Sequence, residues 1–208
     1  GNVIARNKIG VLANGTPAPN TVFGVRIEKA AFDNTVGPGN EIAYNPNGIQ
    51  VVPDGSNPPA PDWVSTPDNR FTQNSIHDNG GLGIDIGGDG IDANDPGDGD
   101  TGPNGRENAP VMYSAFILGT ALRVNGRLDG NFTSGTKRVE FFASLTADPT
   151  GYGQGDQYLG SVSVFPGPGA AVVEFKTSIT PASMPALPFV VSAIATSALL
   201  PCIFTATS

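Results

Sequence analysis

The chain has 208 residues, enough for one or two modest domains with a sizeable core, and holds 28 Gly and 19 Pro against 14% charged side chains. That composition belongs to a turn-rich, strand-rich protein, and no stretch shows helical periodicity. A formal net charge of -8, with the 11 basic residues scattered, argues against a nucleic-acid-binding face, and a single cysteine, Cys202, excludes an intrachain disulfide.

From the first residues a short pattern recurs: Asn2-Val-Ile4 with Asn7-Lys-Ile9, Asn34-Thr-Val36 with Asn40-Glu-Ile42, and Asn69-Arg-Phe71 with Asn74-Ser-Ile76. Each copy is followed by a Gly-led alternation, Gly24-Val-Arg-Ile27, Gly48-Ile-Gln-Val51 and Gly83-Ile-Asp-Ile86. Such recurrence points to stacked coils rather than to a single globular core. The period-two alternation predicts that Ile4, Ile9, Ile27, Val36, Ile42, Val51, Phe71, Ile76, Ile84 and Ile86 line the inside, each with a like neighbour above and below at roughly 4.8 Å. The asparagines suit the bends, because their side chains bond nearby backbone, tolerate the left-handed conformation and can bond one another along the stack. In the first coil Leu12 stands where later coils carry Asn45 and Asn79, so its last corner must be built differently. Two excursions interrupt the coils, at 13–20 and 53–68; the second contains Trp63, which reads as a lid over its own coil or as a sugar-stacking residue.

Residues 87–108 form a Gly/Asp/Pro-rich junction. After it come alternating runs at 111–118, 122–128, 138–141, 159–164, 172–175, 189–195 and 203–204, about seven short strands, the number of an immunoglobulin-like sandwich. No charged residue follows Ser178. Pro201 and the Ser/Thr content argue against a membrane anchor there, and Phe189-Val-Val-Ser-Ala-Ile-Ala195 reads as a strand buried in the sandwich. Cys202 reads as a small buried hydrophobe.

The Asn-x-Ile pairs and residues 79–91, Asn-Gly-Gly-Leu-Gly-Ile-Asp-Ile-Gly-Gly-Asp-Gly-Ile, resemble the last coils of bacterial right-handed parallel β-helix repeat proteins, the pectate-lyase-like superfold. Residues 94–104, 139–143, 147–153 and 158–161 extend the likeness to the junction and sandwich that follow such helices in large secreted surface proteins. The resemblance implies an all-β fold: terminal coils of a right-handed parallel β-helix at 1–86, the junction at 87–108, and an immunoglobulin-like β-sandwich at 109–208. It also implies a secreted or cell-surface location. Related sandwiches end in a polar strand, whereas this one ends Ala198-Leu-Leu-Pro-Cys-Ile-Phe204.

Among candidate sites the acidic tract has the clearest chemistry. Asp85, Asp89, Asp92, Asp95, Asp98 and Asp100 lie close together with no basic residue among them, and the interspersed glycines let the backbone fold around a centre. Calcium takes six to eight oxygens in flexible geometry, which such a loop supplies, although the spacing is not that of an EF-hand. A solvated acidic hinge is the alternative. Catalysis has less to stand on: Glu41, Asp78 and Asp85 are the outward acids of the coils, and His77, the sole histidine, reads as a surface side chain at a turn. Asn14-Gly-Thr16 and Asn131-Phe-Thr133 fit the glycosylation pattern, which carries little weight in a bacterial protein.

The expected function is therefore a non-catalytic extracellular structural, adhesive or assembly module. Its partners would be other copies or upstream repeats, meeting it through the open end of the coils and the uncharged C-terminal strand, with cell-surface polysaccharide as a further candidate. The alternatives are a carbohydrate-active β-helix enzyme, or a carbohydrate-binding module using Trp63, Tyr44 and Tyr113. On the leading reading the chain does not cleave pectin or alginate.

Overall fold

The computed structural model describes residues 1–53, 68–130, 136–165, 172–185 and 189–195, with the backbone of 202–206. The protein is all-β. Among the described residues the single helical element is a 3-10 turn, Pro103–Arg106. Trp63 and Asn131 lie outside the described residues.

Nine short strands come first: β1 (Val3–Ile4), β2 (Lys8–Ile9), β3 (Phe23–Ile27), β4 (Thr35–Val36), β5 (Glu41–Ala43), β6 (Asn47–Val51), β7 (Arg70–Phe71), β8 (Ser75–His77) and β9 (Ile84–Ile86). They form three parallel sheets, β1-β4-β7, β2-β5-β8 and β3-β6-β9. Three successive strands thus make one coil, and three coils stack. The registers align Ile4 with Val36 and Phe71, Ile9 with Ile42 and Ile76, and Val25 with Ile49 and Ile84. These columns are the core, with Val36, Ile42, Ile49 and Val51 fully buried. The Gly-led alternation has a steric cause. A Cβ on Gly24 would lie 2.6 Å from the Gly48 carbonyl oxygen, and one on Gly48 would lie 2.2 Å from that of Gly83, so no side chain fits at this corner of the stack.

The asparagines do stack, and each ladder runs in one direction. The backbone N–H and Nδ2 of Asn2 donate to Asn34 Oδ1, and those of Asn34 donate to Asn69 Oδ1. Asn7 donates likewise to Asn40, and Asn40 Nδ2 to Asn74 Oδ1. The third ladder settles the first coil's missing corner: Asn20, reached after the 13–20 excursion, donates to Asn45, which donates to Asn79. The left-handed residue at these bends is not the asparagine but the one before it. Arg6, Asp33, Tyr44, Asp68, Gln73 and Asp78 all have positive φ, between 48° and 63°. Such a residue costs roughly 1–2 kcal/mol. It turns the chain so that the next side chain points along the stack and reaches the carbonyl two residues back, as Asn45 Nδ2 does to Ala43 O at 3.0 Å.

Seven longer strands follow: β10 (Val111–Leu118), β11 (Ala121–Asp129), β12 (Lys137–Ser144), β13 (Gln157–Val164), β14 (Val172–Ile179), β15 (Phe189–Ala195) and β16 (Cys202–Ala206). They pair antiparallel in two sheets, β10-β11-β14 and β13-β12-β15-β16, around a core of Leu122, Val124, Leu128, Phe141, Phe175 and Val191. The C-terminal strand β16 is taken up at the edge of its own sheet, against β15.

The two parts share a seam. On β12 and β15 the residues facing away from the sandwich core are also buried, and Phe142 and Ile194 belong to the coil core, against the cluster of Phe71, Ile76 and Ile84. That is why Phe189–Ala195 is apolar apart from Ser192: both faces of the strand are covered. Glu140, 1% exposed, projects from β12 into the last coil, where its carboxylate accepts from Thr72 Oγ1 at 2.6 Å and the Gln73 N–H at 2.8 Å. Two of the three ladders end in residues of the following segments. Asn69 N–H donates to Asn104 Oδ1, and Asn79 donates through its backbone N–H and Nδ2 to Gln154 Oε1 at 3.0 and 2.8 Å. Gln154 thus takes the place a fourth coil's asparagine would fill.

Candidate metal centre and neighbouring sites

The acidic tract does not gather into one cluster. Asp85 is buried on β9, where Oδ2 accepts from Gln50 Nε2 at 3.1 Å and Oδ1 from the Gly90 N–H at 3.3 Å. Gln50 in turn accepts from Arg26, so Asp85 ends a polar column on the coil surface. Asp89 and Asp92 are both held by Arg106, whose Nη2 lies 3.0 Å from Asp89 Oδ2 and whose Nη1 pairs with Asp92. Gly87 makes room for this arrangement. It has φ +101°, and a Cβ there would fall 2.4 Å from Asp89 Oδ1 and 2.6 Å from Arg106 Nη2. Arg106 is the basic partner that the tract itself lacks; it stands six residues beyond Asp100, past two further turns.

Asp95, Asp98 and Asp100 do come together, each offering a carboxylate oxygen within 4.8 Å of the others. Asn108 clamps the loop: it accepts from the Asp95 N–H at 2.9 Å, donates through Nδ2 to Asp95 O at 2.7 Å, and donates its own N–H to Asp98 Oδ1 at 2.8 Å. Asn94 and Ala109 exchange a reciprocal pair, and Asp129 at the end of β11 accepts from the Gly97 N–H at 3.1 Å. The loop is thus tied to the sandwich. Asp95 Oδ2 accepts from the Gly99 N–H at 2.9 Å, but Asp95 Oδ1 is buried and accepts nothing. A buried carboxylate oxygen without a donor is costly and is the kind of atom a cation satisfies. These three side chains, with nearby carbonyls, are the oxygen donors a hard divalent cation takes.

The electrostatics show the strain of that grouping. Partial burial, followed by the charges of Glu107, Asp100 and Asp95, pushes the Asp98 carboxyl up to about 6, against the pull of the Asn108 N–H. Asp100 is raised by burial and by Asp95. Asp92 is raised mainly by burial, with Arg106 opposing. The unfolded Asp98 loses its proton near 3.8 while the folded one keeps it to about 6. In chelator, then, this group's contribution to stability is full below pH 4 and falls as pH rises through 6. Urea melts of the chelated protein between pH 4 and 7 should show that decline, and Asp98→Asn should remove it; an unchanged slope in the variant would contradict the assignment.

His77 is not a free surface side chain. Its ring packs edge-on against Tyr44 with centroids 5.9 Å apart, and Nδ1 lies 2.8 Å from Asp78 Oδ2 and Nε2 3.7 Å from Glu41 Oε1. His77 and Asp78 line a groove of about 500 Å³ between the last coil and residues 144–149, with Asp148 and Asp156 in its wall. Two of those acids are engaged: Asp148 accepts from Gln154 Nε2 and the Thr150 N–H, and Asp156 from Ser75 Oγ. Asp85 lies elsewhere, on β9, so the structure groups Glu41 and Asp78 with His77 and leaves the third outward acid apart. Tyr44 and Tyr113 are not brought together either: Tyr44 packs at the coil corner and Tyr113 projects from β10. Asn14 caps an exposed turn, accepting from the Thr16 N–H. No helix among the described residues is long and apolar enough to cross a membrane. No family model, no curated protein and no solved structure matches the chain.

Proposed function

We propose that the chain is a non-catalytic structural module of a secreted or cell-surface protein: the end of a parallel β-helix, closed on one side by an immunoglobulin-like sandwich and open to association on the other. One observation carries this reading. Two of the three asparagine ladders are closed at the sandwich end, by Asn104 and Gln154, while at the opposite end no hydrogen bond reaches Oδ1 of Asn2, Asn7 or Asn20 among the described residues. At that end Val3 is 72% exposed and Ile4 and Ile9 only half-buried, and among the described residues β1, β2 and β3 have no strand on their outer edges. Repeat proteins cover such edges or pair them. A matching coil edge, on another copy or in further repeats, would supply donors to the three acceptors and cover the aliphatic columns. Calcium at Asp95, Asp98 and Asp100 would then hold the junction stiff between the coils and the sandwich.

The test is mass against concentration. Light scattering should show association that rises with concentration and is lost in Ile9→Lys, a substitution at the exposed end of one column. A strictly monomeric protein at high concentration would overturn the reading.

A further inference from the structure

The outer face of sheet β10-β11-β14 carries three cations that form no ion pair among the described residues. Along β11, Leu122, Val124 and Leu128 point into the sandwich, which places Arg123, Asn125 and Arg127 on the outside. Both arginines are half-buried, and each has an Nε atom that is buried and accepted by nothing. Neither forms an ion pair among the described residues, nor does Lys176, which lies opposite Asn125 on β14, between them. Two carboxylates share this face, and neither forms an ion pair with these cations among the described residues. Glu174, opposite Arg127, accepts from Tyr113 Oη at 3.1 Å, and Asp129 accepts from the Gly97 N–H. Three cations against two carboxylates leave this face with a net positive charge in a chain of net charge -8. Beside them stand two exposed aromatic rings, Phe116 opposite Arg123 and Tyr113 at the bulge of β10, 40% and 49% exposed.

We propose that this face binds an acidic polysaccharide whose carboxylates pair with Arg123, Arg127 and Lys176 and whose rings pack on Tyr113 and Phe116. Four residues of strand separate the arginines by about 13 Å, too far for one carboxylate to serve both, so the occupant carries repeated negative charge. Guanidinium forks match carboxylates, and aromatic faces suit the apolar faces of sugar rings. A second copy of the chain is a poorer fit. Two of its tract acids are held by Arg106, and Asp98 is half-buried in a loop clamped by Asn108. Nucleic acid would need more than three cations on so acidic a protein. The proposal is independent of the coil-end association.

The experiment is affinity electrophoresis of the full chain in gels holding polygalacturonate, with dextran as the neutral control. Retardation by polygalacturonate but not dextran is expected, weakening by about 0.5 M salt, where the Debye length has fallen to a few ångströms. Arg123→Gln with Arg127→Gln should weaken binding at least about tenfold. Lys176→Glu, at an exposed site, should weaken it in the same direction. Unchanged retardation in both variants, equal retardation by dextran, or none by either polymer overturns the proposal. So does low-salt self-association abolished by the double variant with no effect of the polymer, which would assign the face to a second copy. Release of new reducing ends during binding would mean turnover rather than recognition and would also overturn it.

Discussion

Replacing Phe142 by alanine is expected to cost about 3–5 kcal/mol and to loosen the coils as much as the sandwich to which the residue belongs by sequence. Phe142 is 2% exposed, and its ring sits in the coil core with Ile194, 5.6 Å from Tyr158 in an edge-on contact. Its removal opens a cavity at the seam, where little can collapse to fill it. The Ile76 N–H bonds the Gly155 carbonyl at 2.7 Å, Glu140 is locked to Thr72 and Gln73, and Gln154 caps the third ladder. These contacts, with Asn104 on Asn69, cover the last coil on that side, so the coils and the sandwich should unfold in one transition. Urea unfolding followed by circular dichroism and by tyrosine fluorescence should give coincident curves in the wild type and a parallel shift in the variant. Leu145→Ala, at a side chain 72% exposed, is the neutral control. Two separate transitions, with Phe142→Ala moving only one, would show that the seam holds nothing together.

What the sequence makes legible follows from periodicity. The inward aliphatics, the Asn recurrence and the Gly corner each repeat once per coil, and a repeated physical demand leaves a repeated residue. The same logic hides whatever occurs once. Asn20 fills the corner that Leu12 leaves open, but the excursion of 13–20 puts it out of step with Asn45 and Asn79, and only its hydrogen bonds reveal the role. Gln154 and Asn104 complete ladders from outside the repeat. The run Phe189–Ala195 shows its double burial in a sequence apolar apart from Ser192, yet nothing in it says that the second face meets the coils rather than another layer of sandwich. In the acidic tract, spacing alone puts six carboxylates on equal terms. The division into a column residue, an Arg106-held pair and a cluster of three depends on turns whose directions depend on single left-handed residues such as Asp98, with φ 54°.

That division sharpens the calcium expectation. Binding should depend on Asp95, Asp98 and Asp100 and not on Asp85, Asp89 or Asp92, whose oxygens already have partners. With three carboxylates and the remainder carbonyls or water, affinity should be that of extracellular modules at the weak end, a dissociation constant on the order of 0.1–1 mM. At a hundredfold excess the folded state gains about 2.7 kcal/mol, provided the unfolded chain does not bind. Bound cation also satisfies Asp95 Oδ1 and offsets the burial and the neighbouring charges that raise Asp98, so the fall in stability between pH 4 and 6 should vanish in calcium. Asp95→Asn with Asp98→Asn keeps the acceptors for Gly99 and Asn108 while removing two charges, and should abolish the calcium response without disturbing the coils. Asp92→Asn should weaken the Arg106 pair and leave the calcium response intact. Calorimetry separates the cases: heat of binding lost in the first variant and kept in the second places the cation at the three-residue cluster, whereas equal melting temperatures in calcium and chelator, with no heat, make residues 95–100 a clamped acidic turn and nothing more.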